Sequence, residues 1–135
     1  MTVRILLVED EVASTIIVRE ALRESGIEHE LEIASDGEVA VELLRAATFL
    51  PQLVLLDLNL PKKTGLEVLK EIKDDPRLRV IPVIIFTNSR TDENVTAAYS
   101  AYCNAFLEKN FEFDELVATL KTATQFWFEE VVLPS

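Results

Sequence analysis

Residues 53–61 read LVLLDLNLP: four apolar residues, then the carboxylate of Asp57, then a proline at 61. An unbroken apolar run of that length reads as a strand buried on both faces, the habit of a parallel sheet covered by helices. Such a strand ends here on an acid, which puts a charge where the chain leaves the core. The rest of the sequence explains why.

Similar runs recur along the chain: RILLV (4–8), LEIA (31–34), VIIF (83–86) and AFL (105–107). All are read as continuous rather than alternating strands. Amphipathic segments of helix length lie between them. In EVASTIIVREALRESG (11–26), Ser14, Ile17, Val18, Ala21 and Leu22 share one face, and Gly26 suits the position just past a helix end. Asp36 is placed to cap a second helix, with Val41 and Leu44 facing inward. Leu66, Leu69 and Ile72 form the stripe of a third, and Thr91 is placed to cap a fourth. A fifth, from about residue 114, buries Leu116, Val117, Leu120 and Trp127. Five βα units in succession predict a single-domain α/β fold over residues 1–135, a doubly wound (βα)5 five-stranded parallel sheet with an apolar extension at about 126–135.

Composition narrows the function. The chain has 135 residues, 49% hydrophobic and 27% charged, with 13 basic against 24 acidic residues and a net charge of −11. That acidity repels phosphate backbones and anionic lipid, so nucleic acid and membrane surfaces are poor partners. A single cysteine, Cys103, cannot form an internal disulfide, and no apolar run approaches the roughly 20 residues that span a bilayer. The N-terminus meets acids too early for a signal peptide, and a cytoplasmic protein is expected. Cys103 reads as a small apolar filler and His29 as a surface residue before the second strand.

Ligands of open parallel sheets bind beyond the carboxyl ends of the strands. The residues at those ends are therefore informative: Glu9 and Asp10 after the first run, Asp57 after the third, Thr87 after the fourth and Lys109 after the fifth. Singly, each has a plainer reading: helix-terminal charge, a turn before Pro61, a threonine turn, a solvated lysine. Together they place three acids, a hydroxyl and an ammonium on one edge. Three crowded acids repel, and a divalent cation relieves them. Hard oxygen donors without histidine or cysteine favour Mg²⁺. A cation, a lysine and a hydroxyl suit the three peripheral oxygens of a phosphoryl group, with Asp57 as the acceptor.

The segments LLVEDE, SDGEVAVELL, LVLLDLNLPKKTG, IPVIIFTNS and AFLEK, over essentially the whole chain, resemble a two-component response-regulator receiver domain. The resemblance implies a flavodoxin-like fold and a phosphorylatable switch, not a turnover enzyme: a histidine kinase passes its phosphoryl group to Asp57 with Mg²⁺ bound. It further implies metal oxygens from Glu9, Asp10, Asp57 and the backbone carbonyl of Asn59, phosphoryl contacts from Thr87 and Lys109, and a switch aromatic at Phe106.

Some positions depart from the family. Asn110 follows Lys109 where the family carries a proline after a cis bond, and before a non-proline residue that bond costs about 3–4 kcal/mol. AYCNA (101–105) replaces a glycine-alanine pair, and Thr64 replaces a common acid. These departures, the Tyr99 and Asn104 spacing and the ending QFWFEEVVLPS are similar to the stand-alone regulators that partner phytochrome kinases. Those relatives imply a homodimer through the fourth helix, fifth strand and fifth helix. The apolar tail adds its own interface candidates, Phe126, Trp127, Phe128, Val131 and Leu133, beside Tyr99. Two rival readings are a receiver-like binding module that is never phosphorylated and an aspartate-nucleophile phosphatase. The phosphatase reading lacks a second acid at Asn59.

Overall fold

The computed structural model describes residues 2–109 and 112–133. Five parallel strands, β1 (Val3–Val8), β2 (His29–Ala34), β3 (Leu53–Leu56), β4 (Val83–Thr87) and β5 (Ala105–Glu108), form one sheet in the order β2-β1-β3-β4-β5. The helices are α1 (Val12–Ser25), α2 (Gly37–Ala46), α3 (Gly65–Asp74), α4 (Asp92–Ser100) and α5 (Phe113–Gln125). This is the doubly wound flavodoxin-like arrangement.

Alternation along the strands splits the core into two layers. Leu6, Val8, Val54, Leu56, Val83 and Ile85 face α2, α3 and α4. Ile5, Leu7, Leu53, Leu55, Ile84 and Phe86 face α1 and α5. With both faces covered, β1, β3 and β4 show the expected unbroken burial, apart from Arg4.

β2 corrects that expectation. It begins at His29, two residues earlier than the apolar run, and its burial alternates because it is an edge strand with Glu30 and Glu32 turned outward. His29 is therefore the first residue of a strand, half-buried, with Nδ1 2.7 Å from the Ile27 carbonyl oxygen. The α3 stripe also shifts: Val68, Leu69 and Ile72 are buried, while Leu66 is only half-buried.

Helix ends follow local chemistry. Gly26 closes α1 at φ 73°, in the left-handed region that favours glycine. Asp36 accepts a bond from the Val39 N–H at 2.9 Å, and Thr91 accepts from Asn94 N–H at 3.1 Å. Thr64 caps α3 in a reciprocal box. Its hydroxyl accepts from Glu67 N–H at 3.2 Å, and the Glu67 carboxylate accepts from Thr64 N–H at 3.4 Å. Thr64→Ala should cost about 1 kcal/mol in urea unfolding. An unchanged midpoint would show that this exposed cap contributes nothing.

Beyond Gln125 the last helix widens into a π-helical turn, Phe126–Glu130, closed by a 3.1 Å bond from Val131 N–H to the Phe126 carbonyl. Trp127 and Phe128 pack, half-buried, on the α1–α5 layer. Phe128, Val131 and Leu133 line a groove with Val3, Leu50 and Ile81 at the opening edge of the sheet. The tail thus folds partly over its own domain, which leaves Phe126 and Val132 exposed. Among the described residues, no helix is long and apolar enough to cross a membrane.

Candidate functional site

The chain winds in opposite senses on either side of β1 and β3, so a crevice opens beyond their carboxyl ends. Register pairs Val8 with Leu56, which sets Glu9 and Asp57 side by side. The backbone locks them there: Asp57 N–H donates to Val8 O at 3.0 Å, and Glu9 N–H donates to Ala34 O at 2.9 Å. Both carboxylates are 1% exposed, whereas Asp10 reaches solvent. One oxygen from each of Glu9, Asp10 and Asp57 lies within 4.8 Å of the others.

Lys109 enters this acid cluster from the end of β5. Its Nζ lies 2.8 Å from Glu9 Oε2, 3.2 Å from Asp57 Oδ2 and 3.5 Å from Glu11 Oε1, with its side chain 8% exposed. It also stands 5.4 Å from the Phe86 ring centre. The plain expectation of a solvated lysine is thus overturned. Burial alone would lower its pKa, but the hydrogen bond and charge of Glu9, with Asp57 beside them, raise it above the usual value. Glu9 is pushed up to about 7, chiefly by burial and further by the Asp57 charge, against the pull of Lys109 and the Glu11 N–H. One ammonium does not fully compensate two buried carboxylates, and hard oxygens in this arrangement suit a divalent cation.

Thr87, fully buried, ends β4, and its hydroxyl oxygen accepts from Ser89 N–H at 3.3 Å, so the threonine turn is real. Asp57 likewise accepts at Oδ1 from Asn59 N–H at 3.2 Å. Glu9 and Asp10 lie just before Glu11, the N-cap residue of α1, rather than in its first turn, and Glu9 Oε1 accepts from Glu11 N–H. Phe106 is half-buried against the α2–α4 layer. Gly65, which opens α3, presses so closely on the strand end that an added Cβ would lie 2.0 Å from the Asp57 carbonyl oxygen. The Lys109–Asn110 peptide lies outside the described residues.

Sequence reasoning missed a set of amide contacts around the site. Asn59 Nδ2 donates to Ser89 Oγ and, at 3.4 Å, to Asn88 Oδ1; Asn94 Nδ2 donates to Ser89 O at 2.7 Å. The Asn59 bonds cross between loops, and only the run TNS after the fourth strand hints at them.

The response regulator receiver domain model matches residues 5–121. Response regulator Rcp1 of Synechocystis sp. is 43% identical over 136 residues, covering 97% of this chain and 92% of its own length. The Mn²⁺-bound structure of Rcp1 superposes with a TM-score of 0.92 at 42% identity, over 98% of this chain and 99% of that one. The phosphorylated cyanobacterial phytochrome response regulator RcpA superposes with a TM-score of 0.95 at 38% identity, over the full length of both. This chain belongs to the response regulator receiver family, and it is similar to regulators of the phytochrome group.

Proposed function

We propose that this chain is a phosphoryl-accepting switch, with Asp57 as acceptor and a histidine kinase, of the phytochrome type, as donor. The observation that carries the reading is a buried Asp57 at a strand end, with Lys109 Nζ 3.2 Å away and two further acids within 4.8 Å. An Asp57 oxygen attacks phosphorus, the new P–O bond forms, and the P–N bond to the kinase histidine breaks. Lys109 and the Thr87 hydroxyl hold two phosphoryl oxygens. Glu9, Asp10, Asp57 and the Asn59 carbonyl would hold Mg²⁺, which supplies positive charge for the third. The Mn²⁺-bound state of Rcp1 and the phosphorylated state of RcpA support both parts.

Output then runs through surface change. Thr87 is drawn toward the phosphoryl group, and Phe106 follows into the space it vacates. The face made by α4, β5 and α5 carries exposed Tyr99, and Phe126 follows α5, so a second copy of the chain is the proposed partner there. Trp127, Phe128, Val131 and Leu133 serve that assembly by shaping the tail rather than by lying bare. The protein acts in the cytoplasm as a signalling receiver without substrate turnover, and without nucleic acid or membrane as ligand.

The test is intact mass after incubation with Mg²⁺ and a small acyl-phosphate donor, beside Asp57→Asn, with size-exclusion chromatography of the same samples. One phosphoryl adduct in the parent and none in the variant is expected. An adduct retained in Asp57→Asn would move the acceptor elsewhere. No adduct in the parent, where a control receiver is labelled, would favour the binding module.

A further inference from the structure

α4 is the least anchored of the five α-helices. It buries one residue, Ala98, where α1, α2, α3 and α5 each bury at least four. Its start is tied instead to the acidic site through Ser89, whose amide, hydroxyl and carbonyl each bond in a different direction. The Ser89 N–H donates to Thr87 Oγ1 at 3.3 Å and its Oγ accepts from Asn59 Nδ2. Its carbonyl accepts from Asn94 Nδ2 at 2.7 Å and from Thr91 N–H at 3.2 Å. Asn59 in turn donates its backbone N–H to Asp57 Oδ1 at 3.2 Å. An unbroken run of bonds therefore links the acceptor carboxylate to the first turn of α4.

We propose that Asn59, Ser89 and Asn94 form a latch that holds α4 in its resting position. Asn59 and Asn94 act as positioning residues through their side-chain amides. The latch deepens the switch reading above and depends on it only for what opens it. While the Thr87 hydroxyl oxygen accepts from Ser89 N–H, Ser89 is fixed and both amides keep their acceptors. When Thr87 Oγ1 moves toward a phosphoryl oxygen to donate its proton there, it leaves the reach of Ser89 N–H, which loses its partner. Ser89 then shifts, Asn59 and Asn94 lose their bonds to it together, and α4 is released. With so little apolar burial of its own, α4 has few other contacts to keep it in place.

Amide hydrogen exchange of residues 92–100 tests this in the unphosphorylated protein. Asn59→Ala, which removes a side chain bonded to Ser89 and Asn88 rather than to α4, should raise α4 exchange about fivefold to tenfold, the ratio one hydrogen bond supplies. Ser89→Ala should do the same, Ser89→Thr should restore protection, and Asn59→Ala combined with Ser89→Ala should add nothing to either alone. Exchange in β1 and α5 should not move. Unchanged α4 exchange in both alanine variants overturns the latch, as does additivity or faster exchange throughout the fold. The parent treated with Mg²⁺ and acyl phosphate should reproduce the variants' α4 exchange. Labelling without that change overturns the opening step. Absence of labelling counts against the acceptor reading, while the variants still decide the latch.

Discussion

Lys109→Ala should lose about 3–5 kcal/mol of unfolding free energy in metal-free buffer at pH 9, the range for removing one partner of a buried ion pair. The ammonium sits between two carboxylates that are 0% and 1% exposed at the side chain. Without it they face each other with the Glu11 and Asp10 charges nearby. The loss should depend on pH, and its sign follows from Glu9. In the parent, Glu9 already stands at about 7, above its ordinary 4.5, mainly through burial. Deleting Lys109 removes two influences that lower that pKa, so it rises further. A carboxylate whose folded pKa lies above its unfolded one contributes no penalty below the unfolded value. The penalty grows as pH climbs toward the folded pKa. The variant should therefore differ least from the parent near pH 5 and most near pH 9. Mg²⁺ should recover part of the difference, because a cation that binds only the folded state stabilises it by mass action. Urea titrations at both pH values check this. A loss equal at pH 5 and pH 9, or below about 1 kcal/mol at both, would show that Lys109 is not the counterion of the acid pair.

Gly65→Ala should be worse than its conservative look suggests. In a helix, alanine ordinarily gains about 0.5–1 kcal/mol over glycine. Here the added Cβ would meet the Asp57 carbonyl oxygen at 2.0 Å and the Leu58 Cα at 2.6 Å, both backbone atoms. Neither can swing aside, since Gly65 N–H bonds to Leu58 O at 3.0 Å and Asp57 N–H is tied into the sheet. The start of α3 must retreat from the strand end, and a loss of about 4 kcal/mol or more is expected. Phosphoryl labelling of whatever stays folded should fall with it, because the carbonyl being pushed belongs to Asp57, the proposed acceptor. Gly26→Ala is the control: nothing lies within 4 Å of its added Cβ, and only its φ of 73° resists. About 1–2 kcal/mol is expected there, with labelling intact. Thermal melts and intact mass on both variants separate crowding from backbone conformation.

The parts of the fold legible in sequence were those where one physical demand dominated. β1, β3 and β4 were readable because strands buried on both faces need continuous apolar runs. β2 was read short because an edge strand tolerates Glu30 and Glu32, which break the run. Glu9, Asp57 and Lys109 were placed at one edge from their positions just past the strand ends, and the sheet brings their side chains into contact. Their electrostatic bias was not readable, since the Glu9 shift depends on burial in three dimensions. The Asn59–Ser89 bond joins residues 30 positions apart through polar side chains common in loops. The tail resisted for another reason. Phe126, Trp127 and Phe128 are alike in composition, yet a π-helical turn points Phe126 outward and the other two toward the core.

The bond from Lys109 to Glu9 spans 100 positions of sequence. Contacts of such separation close late in folding, because the loop between them must be ordered first. During synthesis, Glu9, Asp10 and Asp57 leave the ribosome before Lys109, so the acids are present while their ammonium is still missing. Such a partial chain carries Asp57, the proposed acceptor, but neither Lys109 nor the strand that bears Phe106. The charge arrangement around Asp57 is thus complete only once β5 has docked. A chain that stops short of β5 holds the acids without their counterion, so the order of the strands places the compensating charge last.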